Sequence, residues 1–180
     1  MGIDPAIVQN IAERVRAEVL PARTAPAIKL DPAIIQKIAQ KVPIFAGMSQ
    51  TCLLSTLATG EHFTIQPGEA VFREGDMGNS FYVLIAGDVV VEKLRDGKSV
   101  ELVRLGPGEC FGEMALVGND VRSATVRAIS PLVAMRFYRE LIDSNPESAS
   151  AIYRNIARIL AARLGESSMV LAELKKREGA

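Results

Sequence analysis

Glycine is concentrated in the middle of this chain: ten of the fourteen glycines fall between Gly60 and Gly118. They punctuate short runs rich in β-branched and aromatic residues. "HFTI", "AVFR", "SFYVLIA", "DVVVEKL" and "SVELVRL" alternate with Gln66-Pro67-Gly68, Gly75-Asp76, Gly87-Asp88, Asp96-Gly97 and Pro107-Gly108, and "SATVRAI" and "LVAMRFY" come later. Strands recurring every ~8–12 residues, each ended by a turn, build a sandwich or barrel. Asp96-Gly97 is the best hairpin signal among them. Both ends of the chain read as helix. The expected fold is therefore mainly β with flanking helices (α+β): a jelly-roll-like β-roll with N-terminal helices and a long C-terminal helix.

The front end contains an internal repeat. "DPAIVQNIAERV" (Asp4–Val15) and "DPAIIQKIAQKV" (Asp31–Val42) are identical at eight of twelve positions. Each opens with Asp then Pro, an N-cap followed by a residue suited to the first helical position. Ile7, Ile11, Val15 and Val19 form one apolar stripe, and Ile34, Ile38 and Val42 form its match. Between them "LPARTAPAIKL" reads as an extended connector, because its two prolines disfavour helix. This divides the chain into residues 1–30, an amphipathic helix with its linker, and 31–180, the principal domain. The first copy is either a duplicated packing helix or a docking helix.

From Pro146 the chain is helical to near its end. Tyr153, Ala157, Leu160, Leu164, Ser167, Leu171 and Leu174 alternate spacings of four and three, a heptad seam suited to a partner helix and hence to a homodimer. Gly165 interrupts the seam at a cost of about 1 kcal/mol relative to Ala, and marks either a hinge or a helix end with Ser167 capping the next.

Composition removes several function classes. Lys plus Arg and Asp plus Glu are 21 each, so no net charge draws the chain to nucleic acid. Apolar runs such as "FYVLIAG" are too short for a membrane span, and no signal-peptide pattern opens the chain. Cys52 and Cys110 lack CxxC spacing and read as reduced, buried thiols of a cytoplasmic protein. A metal site on a β-roll needs several histidines, and His62 is the only one. Ser, Cys and Thr nucleophiles have no placed base. The expectation is no enzyme, no metal and no cofactor.

One segment does carry chemistry: "FGEMALVGNDVRSATVRA", Phe111 to Ala128. A one-turn helix opening at Gly112 leaves backbone N–H groups free, and glycine lets a phosphate approach closely. Arg122 supplies a bidentate donor and Ser123 a hydroxyl. Glu113 repels phosphate but accepts from a hydroxyl on the same ligand. Together these suit a sugar phosphate or nucleotide. A structural Glu113–Arg122 ion pair is the equal alternative on spacing alone.

"FGEMAL" followed by "RSATVRA" resembles the phosphate-binding cassette of the cyclic nucleotide-binding domain family. The likeness extends through "GDMGNSFYVLIAG" and "VPIFAGMS", spanning Val42 to Leu174, and "ARLGESSMVLAEL" is similar to the dimer helix of the family's bacterial cyclic AMP receptors. The resemblance implies backbone groups of Gly112, Met114 and Ala115 around the cyclic phosphate, with Arg122 and Ser123 on its oxygens. It implies Glu113 on the ribose 2′-hydroxyl and Arg163 beside that glutamate. Val91, Leu102 and Val103 would form an apolar wall, and Ser167 and Ser168 would meet adenine. Asn79 departs from the pattern, standing where many members carry an Asp that supports the arginine. The chain stops soon after the helix, so no direct DNA binding is expected. The resulting expectation is a non-catalytic receptor for cyclic AMP, or for cyclic GMP given the Ser123 hydroxyl, acting on an effector protein through moved helices. A scaffold with an empty pocket is the rival reading.

Overall fold

The computed structural model describes Ile38, residues 40–118 and residues 120–178. The first repeat copy, the connector and most of the second copy lie outside the described residues. A 3-10 turn at Pro43–Phe45 leads to α1 (Gln50–Ala58). Strands β1 (Glu61–Ile65), β2 (Ala70–Phe72), β3 (Ser80–Ala86), β4 (Val89–Arg95), β5 (Lys98–Leu105) and β6 (Cys110–Phe111) follow. Helix α2 (Met114–Val117) separates them from β7 (Thr125–Ala128) and β8 (Leu132–Tyr138), and α3 (Arg139–Asp143) and α4 (Pro146–Glu178) close the chain. The strands form two four-stranded sheets, β1-β8-β3-β6 and β2-β7-β4-β5, with every named pairing antiparallel. This is the expected β-roll with flanking helices.

Every strand expected from a run between turns is present. The β4–β5 hairpin turns through Asp96 (φ 52°) and Gly97 (φ 75°), with Arg95 opposite Lys98. Two central residues at positive φ are what a tight primed turn demands, so Asp-Gly at this point sets the register. The two-residue β6 and the five-residue α3 escape the sequence pattern because neither is long enough to show a period.

Strand β3 explains how helices and sheets share one core. Phe81 and Val83 point into a cluster with Ile44, Leu53, Ile152 and Ile156 from the helices. Tyr82 and Leu84 point the other way, into the inter-sheet cluster with Val89, Phe111, Val126 and Leu132. Side chains alternate across a strand, so a strand covered on both faces must be apolar throughout. That is why "SFYVLIA" reads as a continuous apolar run. Phe81 stacks on Phe137 at 5.1 Å between ring centroids, and Phe45 meets Phe137 edge-on at 5.6 Å.

Helix α4 is continuous over 33 residues, so Gly165 neither ends it nor opens a cap at Ser167. At 1.5 Å per residue it is about 50 Å long. Its first half is pinned by Asn155, a buried amide that donates to the carbonyls of Ile44 (3.0 Å) and Ala46 (2.8 Å). The heptad stripe is divided: Tyr153 and Leu160 pack against the helical cluster, whereas Leu164, Ser167 and Leu171 are exposed.

Two glycines should respond oppositely to alanine. Gly87 has φ +81°, and an added Cβ would sit 2.2 Å from the Pro131 carbonyl oxygen, backbone that cannot swing away. Left-handed strain alone costs about 1–2 kcal/mol, so Gly87→Ala should lower the melting temperature by several degrees. Gly165 has open space around it in a helix interior. Gly165→Ala should therefore stabilise by about 0.5–1 kcal/mol. Thermal and urea melts of the two variants against the wild type check both signs.

Candidate functional site

The two halves of the sequence motif meet through backbone hydrogen bonds. Gly75 N–H donates to the Arg122 carbonyl (2.9 Å), Arg122 N–H to Asp76 (2.8 Å) and Gly78 N–H to Asp120 (2.8 Å), beside a bridge between Met77 and Val121. The "GDMGNS" turn thus holds the segment that carries Arg122. On the other side, β6 delivers Gly112 at φ +80°, and α2 begins at Met114, two residues later than expected. Gly112 and Glu113 form the turn that leads into it. Ala115 is buried, and its carbonyl accepts from Arg139, which also pairs with Asp120. Ser123 donates its hydroxyl to Met114 Sδ at 3.3 Å, joining the ends of the cassette.

Arg122 is only 5% exposed, and it is held by neutral groups. Its Nη1 donates to the carbonyls of Ser80 (2.7 Å) and Gly112 (2.8 Å), and Nη2 donates to Ser80 Oγ (3.2 Å). The guanidinium lies over the Phe72 ring, 4.1 Å from its centroid, and its buried Nε has no hydrogen-bond partner among the described residues. Among the described residues no carboxylate forms an ion pair with it. The alternative Glu113–Arg122 pair is therefore overturned, because Glu113 turns its carboxylate toward α4 instead. Burial pushes the Arg122 pKa down, while the charges of Tyr82, Asp76 and Glu113 hold it up. Glycine is required on both sides of this side chain. A Cβ at Gly78 would meet Nε at 2.2 Å, and one at Gly112 would meet Nη1 at 2.7 Å.

Asn79 does not touch Arg122. Its amide donates to Glu140 Oε1 at 3.2 Å. Ser80, one residue on, is the support that sequence reasoning missed, together with Phe72. The available signal is the alternation of β3, which turns Ser80 inward on the same side as Tyr82.

Glu113 is 2% exposed, and its Oε1 accepts from Arg163 Nη1 at 2.7 Å. Arg163 Nη2 donates to the Cys110 carbonyl at 2.9 Å, so one guanidinium ties α4 to the strand and turn before α2. The structure thus brings Glu113 and Arg163 together. Desolvation pushes the Glu113 carboxyl above its ordinary value, opposed chiefly by the Arg163 charge. The Cys110 thiol is pushed up to about 12 by burial and then by the Glu113 charge.

The remaining expected residues are less closely gathered. Val91 is half-buried against the inter-sheet cluster, and Leu102 and Val103 are exposed on β5. Val91 pairs with Val103 and Glu92 with Glu101, so Leu102 is the extra residue of a bulge. Ser167 is exposed, and Ser168 donates back to the Leu164 carbonyl at 2.8 Å. Neither hydroxyl is hydrogen-bonded to a described residue of the cassette. Among the described residues no cluster of three His, Cys, Asp or Glu is arranged to hold a metal ion. No described helix is long and apolar enough to cross a membrane. A concavity of about 260 Å³ between α1 and the start of α4, lined by Cys52, Glu147 and Arg154 among others, shares no residue with the cassette.

The raised Glu113 carboxyl has a signed consequence. From the ordinary value of 4.5 up to its native value, the folded chain binds more protons here than the unfolded chain. This group's contribution to stability is thus present at low pH and is lost as pH rises through that window. Glu113→Gln should remove that decline, and Arg163→Ala should steepen it by removing the main opposing charge. Urea titrations across the acidic to neutral range measure both.

Comparison with known proteins places this geometry. The family "Cyclic nucleotide-binding domain" matches residues 62–152. The chain is 29% identical over 130 residues to a "Cyclic AMP receptor protein" of Thermus thermophilus, covering 72% of this chain and 60% of that protein's length. The crystal structure of the Thermus thermophilus Catabolite Activator Protein superposes with a TM-score of 0.67 at 29% identity, covering 74% of this chain and 63% of that one. The regulatory domain of Toxoplasma gondii PKA, solved as a co-crystal with cAMP, superposes with a TM-score of 0.59 at 25% identity, over 67% of this chain and 48% of that one. The chain therefore spans less than two thirds of each protein it matches here. Fold, cassette and matched span agree: the chain belongs to the cyclic nucleotide-binding domain family.

Proposed function

We propose that this chain is a non-catalytic cyclic nucleotide receptor of the cytoplasm, with cyclic AMP as its ligand. The observation that carries the reading is the buried Arg122 cation, which donates to carbonyls and a hydroxyl and lies on a ring face, with no ion pair to a carboxylate among the described residues. A desolvated charge without a counter-ion is costly, and a single phosphate negative charge relieves that cost. The cyclic phosphate would lie against Arg122, Ser123 and the backbone of Gly112, Met114 and Ala115. Next to it, the ribose 2′-hydroxyl would donate to Glu113. The base would lie toward Val91, Leu102 and Val103, with Ser167 and Ser168 on α4 turned to its edge.

Occupancy reaches α4 through the carboxylate. Glu113 already accepts from Arg163, so a hydroxyl arriving at Glu113 changes the environment of the residue that tethers α4. The helix shifts only as far as the ligand's differential affinity for its two positions allows. An effector protein that reads α4 would receive the signal. Ser123 is the observation favouring cyclic GMP as a second reading, since its hydroxyl is at the cassette.

Calorimetric titration with both nucleotides tests the ligand. Arg122→Ala should weaken binding by about thirty- to several-thousand-fold, the equivalent of roughly 2–5 kcal/mol for one partner of a desolvated charge pair. Circular dichroism confirms that the variant is folded. Unchanged affinity in a folded variant would place the phosphate elsewhere. A 2′-deoxy cyclic nucleotide should bind wild type poorly and lose little more in Glu113→Ala.

A further inference from the structure

The first residue of α3, Arg139, is joined to the cassette by both its side chain and its backbone. Its Nη2 donates to the Ala115 carbonyl of α2 and to the Asp120 carboxylate. Its backbone N–H donates to the Asn79 carbonyl at 2.8 Å, and the Asn79 amide returns to Glu140 Oε1 at 3.2 Å. Arg139 therefore touches the turn before β3, helix α2 and the segment that leads into Arg122. The side chain is 25% exposed, so these contacts are held largely out of water. Neither the nucleotide contacts nor the helix tether at Arg163 uses it.

Each contact meets a local need. A helix of four residues leaves its last carbonyls without helical partners. The Met114 carbonyl accepts from Gly118 N–H at 3.0 Å, and the Ala115 carbonyl accepts from Arg139 instead. A cation at this end also suits the helix dipole. Asp120 has φ 57°, a left-handed conformation that Asp tolerates better than most side chains. Its carbonyl accepts from Gly78 N–H at 2.8 Å, while its carboxylate accepts from Arg139. One guanidinium thus bridges the two halves of the cassette, α2 on one side and the approach to Arg122 and Ser123 on the other.

We propose that Arg139 is a positioning residue for the nucleotide: it sets the separation between α2 and Arg122 that a cyclic phosphate must fill. The inference rests on the reading that the phosphate lies between those two halves. The direct links between them are Arg122 Nη1 to the Gly112 carbonyl at 2.8 Å and Ser123 to Met114 Sδ at 3.3 Å. Both use donors that the phosphate would engage. The Arg139 bridge uses neither, so it persists when the site fills. Donors arranged beforehand bind more tightly, because less ordering is left to the moment of binding. Where geometry is demanding, a misplacement of about 1 Å loses about a hundredfold.

The test is calorimetric titration of the full chain with the tighter-binding of cyclic AMP and cyclic GMP, and with the two diastereomers of its cyclic phosphorothioate. Arg139→Ala should bind the nucleotide about ten- to a hundredfold more weakly than wild type. Arg139→Lys should recover part of that loss, since an ammonium can still reach one of the two acceptors. Sulfur replaces one phosphate oxygen or the other in the diastereomers, so their affinity ratio reports how the phosphate is held. Wild type should prefer one of them, and the ratio should move toward one in Arg139→Ala, which a loss of fold stability alone would not cause. Circular dichroism melts of the ligand-free variants establish that they are folded at the titration temperature. A folded Arg139→Ala within about twofold of wild-type affinity overturns the proposal, and so does weaker binding at an unchanged diastereomer ratio. If Arg139→Ala does not fold, Asp120→Ala removes the other end of the bridge and the same two outcomes decide. A wild type that binds neither nucleotide overturns the functional reading and this proposal with it, whereas an unaffected Arg139→Ala leaves that reading standing.

Discussion

A guanidinium withdrawn from water that donates, among the described residues, only to neutral acceptors is the constraint on which the site depends. Arg122 has two carbonyls, one hydroxyl and the face of Phe72, and among the described residues its buried Nε has no partner. These four groups come from three parts of the fold: Phe72 from β2, Ser80 from β3 with both a carbonyl and the hydroxyl, and Gly112 from the turn after β6. The position of the arginine therefore depends on both sheets and on the cassette turn. Gly78 and Gly112 are the backbone requirement, because a methyl group at either would occupy the guanidinium's space.

The core makes that placement possible by using one strand twice. β3 sends Phe81 and Val83 toward the helices and Tyr82 and Leu84 toward the facing sheet. Ser80 opens the same strand, so its hydroxyl and carbonyl take their positions from packing on both sides of it. Tyr82 stacks on Phe111 with 5.0 Å between ring centroids, immediately before Gly112 and Glu113. Core packing and site geometry thus share residues one or two positions apart. A disturbance of this core reaches the cassette directly.

Glu113 and Arg163 connect the cassette to the helix. A carboxylate buried to this degree needs a cation, and Arg163 supplies it from a helix that is otherwise anchored by Asn155 two turns earlier. Past Arg163 the helix has little apolar cover among the described residues. One end of α4 is therefore set by the core and its middle by an ion pair at the site, whereas Leu164 and Leu171 beyond it are exposed.

The sequence alone determined what depends on near neighbours. Alternation and glycine-bearing turns specified the strands, Asp96-Gly97 specified the hairpin, and the order of Gly112, Glu113, Arg122 and Ser123 marked the cassette. These signals are local: a turn's sign of φ or a strand's period is written in consecutive residues. The tertiary structure decided which groups pair across the chain. From spacing alone Arg122 could have met Glu113, nine residues away. Packing instead brings Arg163, fifty residues on, to Glu113 and gives Arg122 the carbonyl and hydroxyl of Ser80. Asn79, on which the family pattern drew attention, is turned aside to Glu140 by the alternation that points Ser80 inward. Gly165 suggested a break that the continuous helix does not contain, because one glycine's propensity is small beside the remaining hydrogen bonds of a long helix. Long-range partners depend on which faces the core buries, and no run of neighbouring residues encodes that.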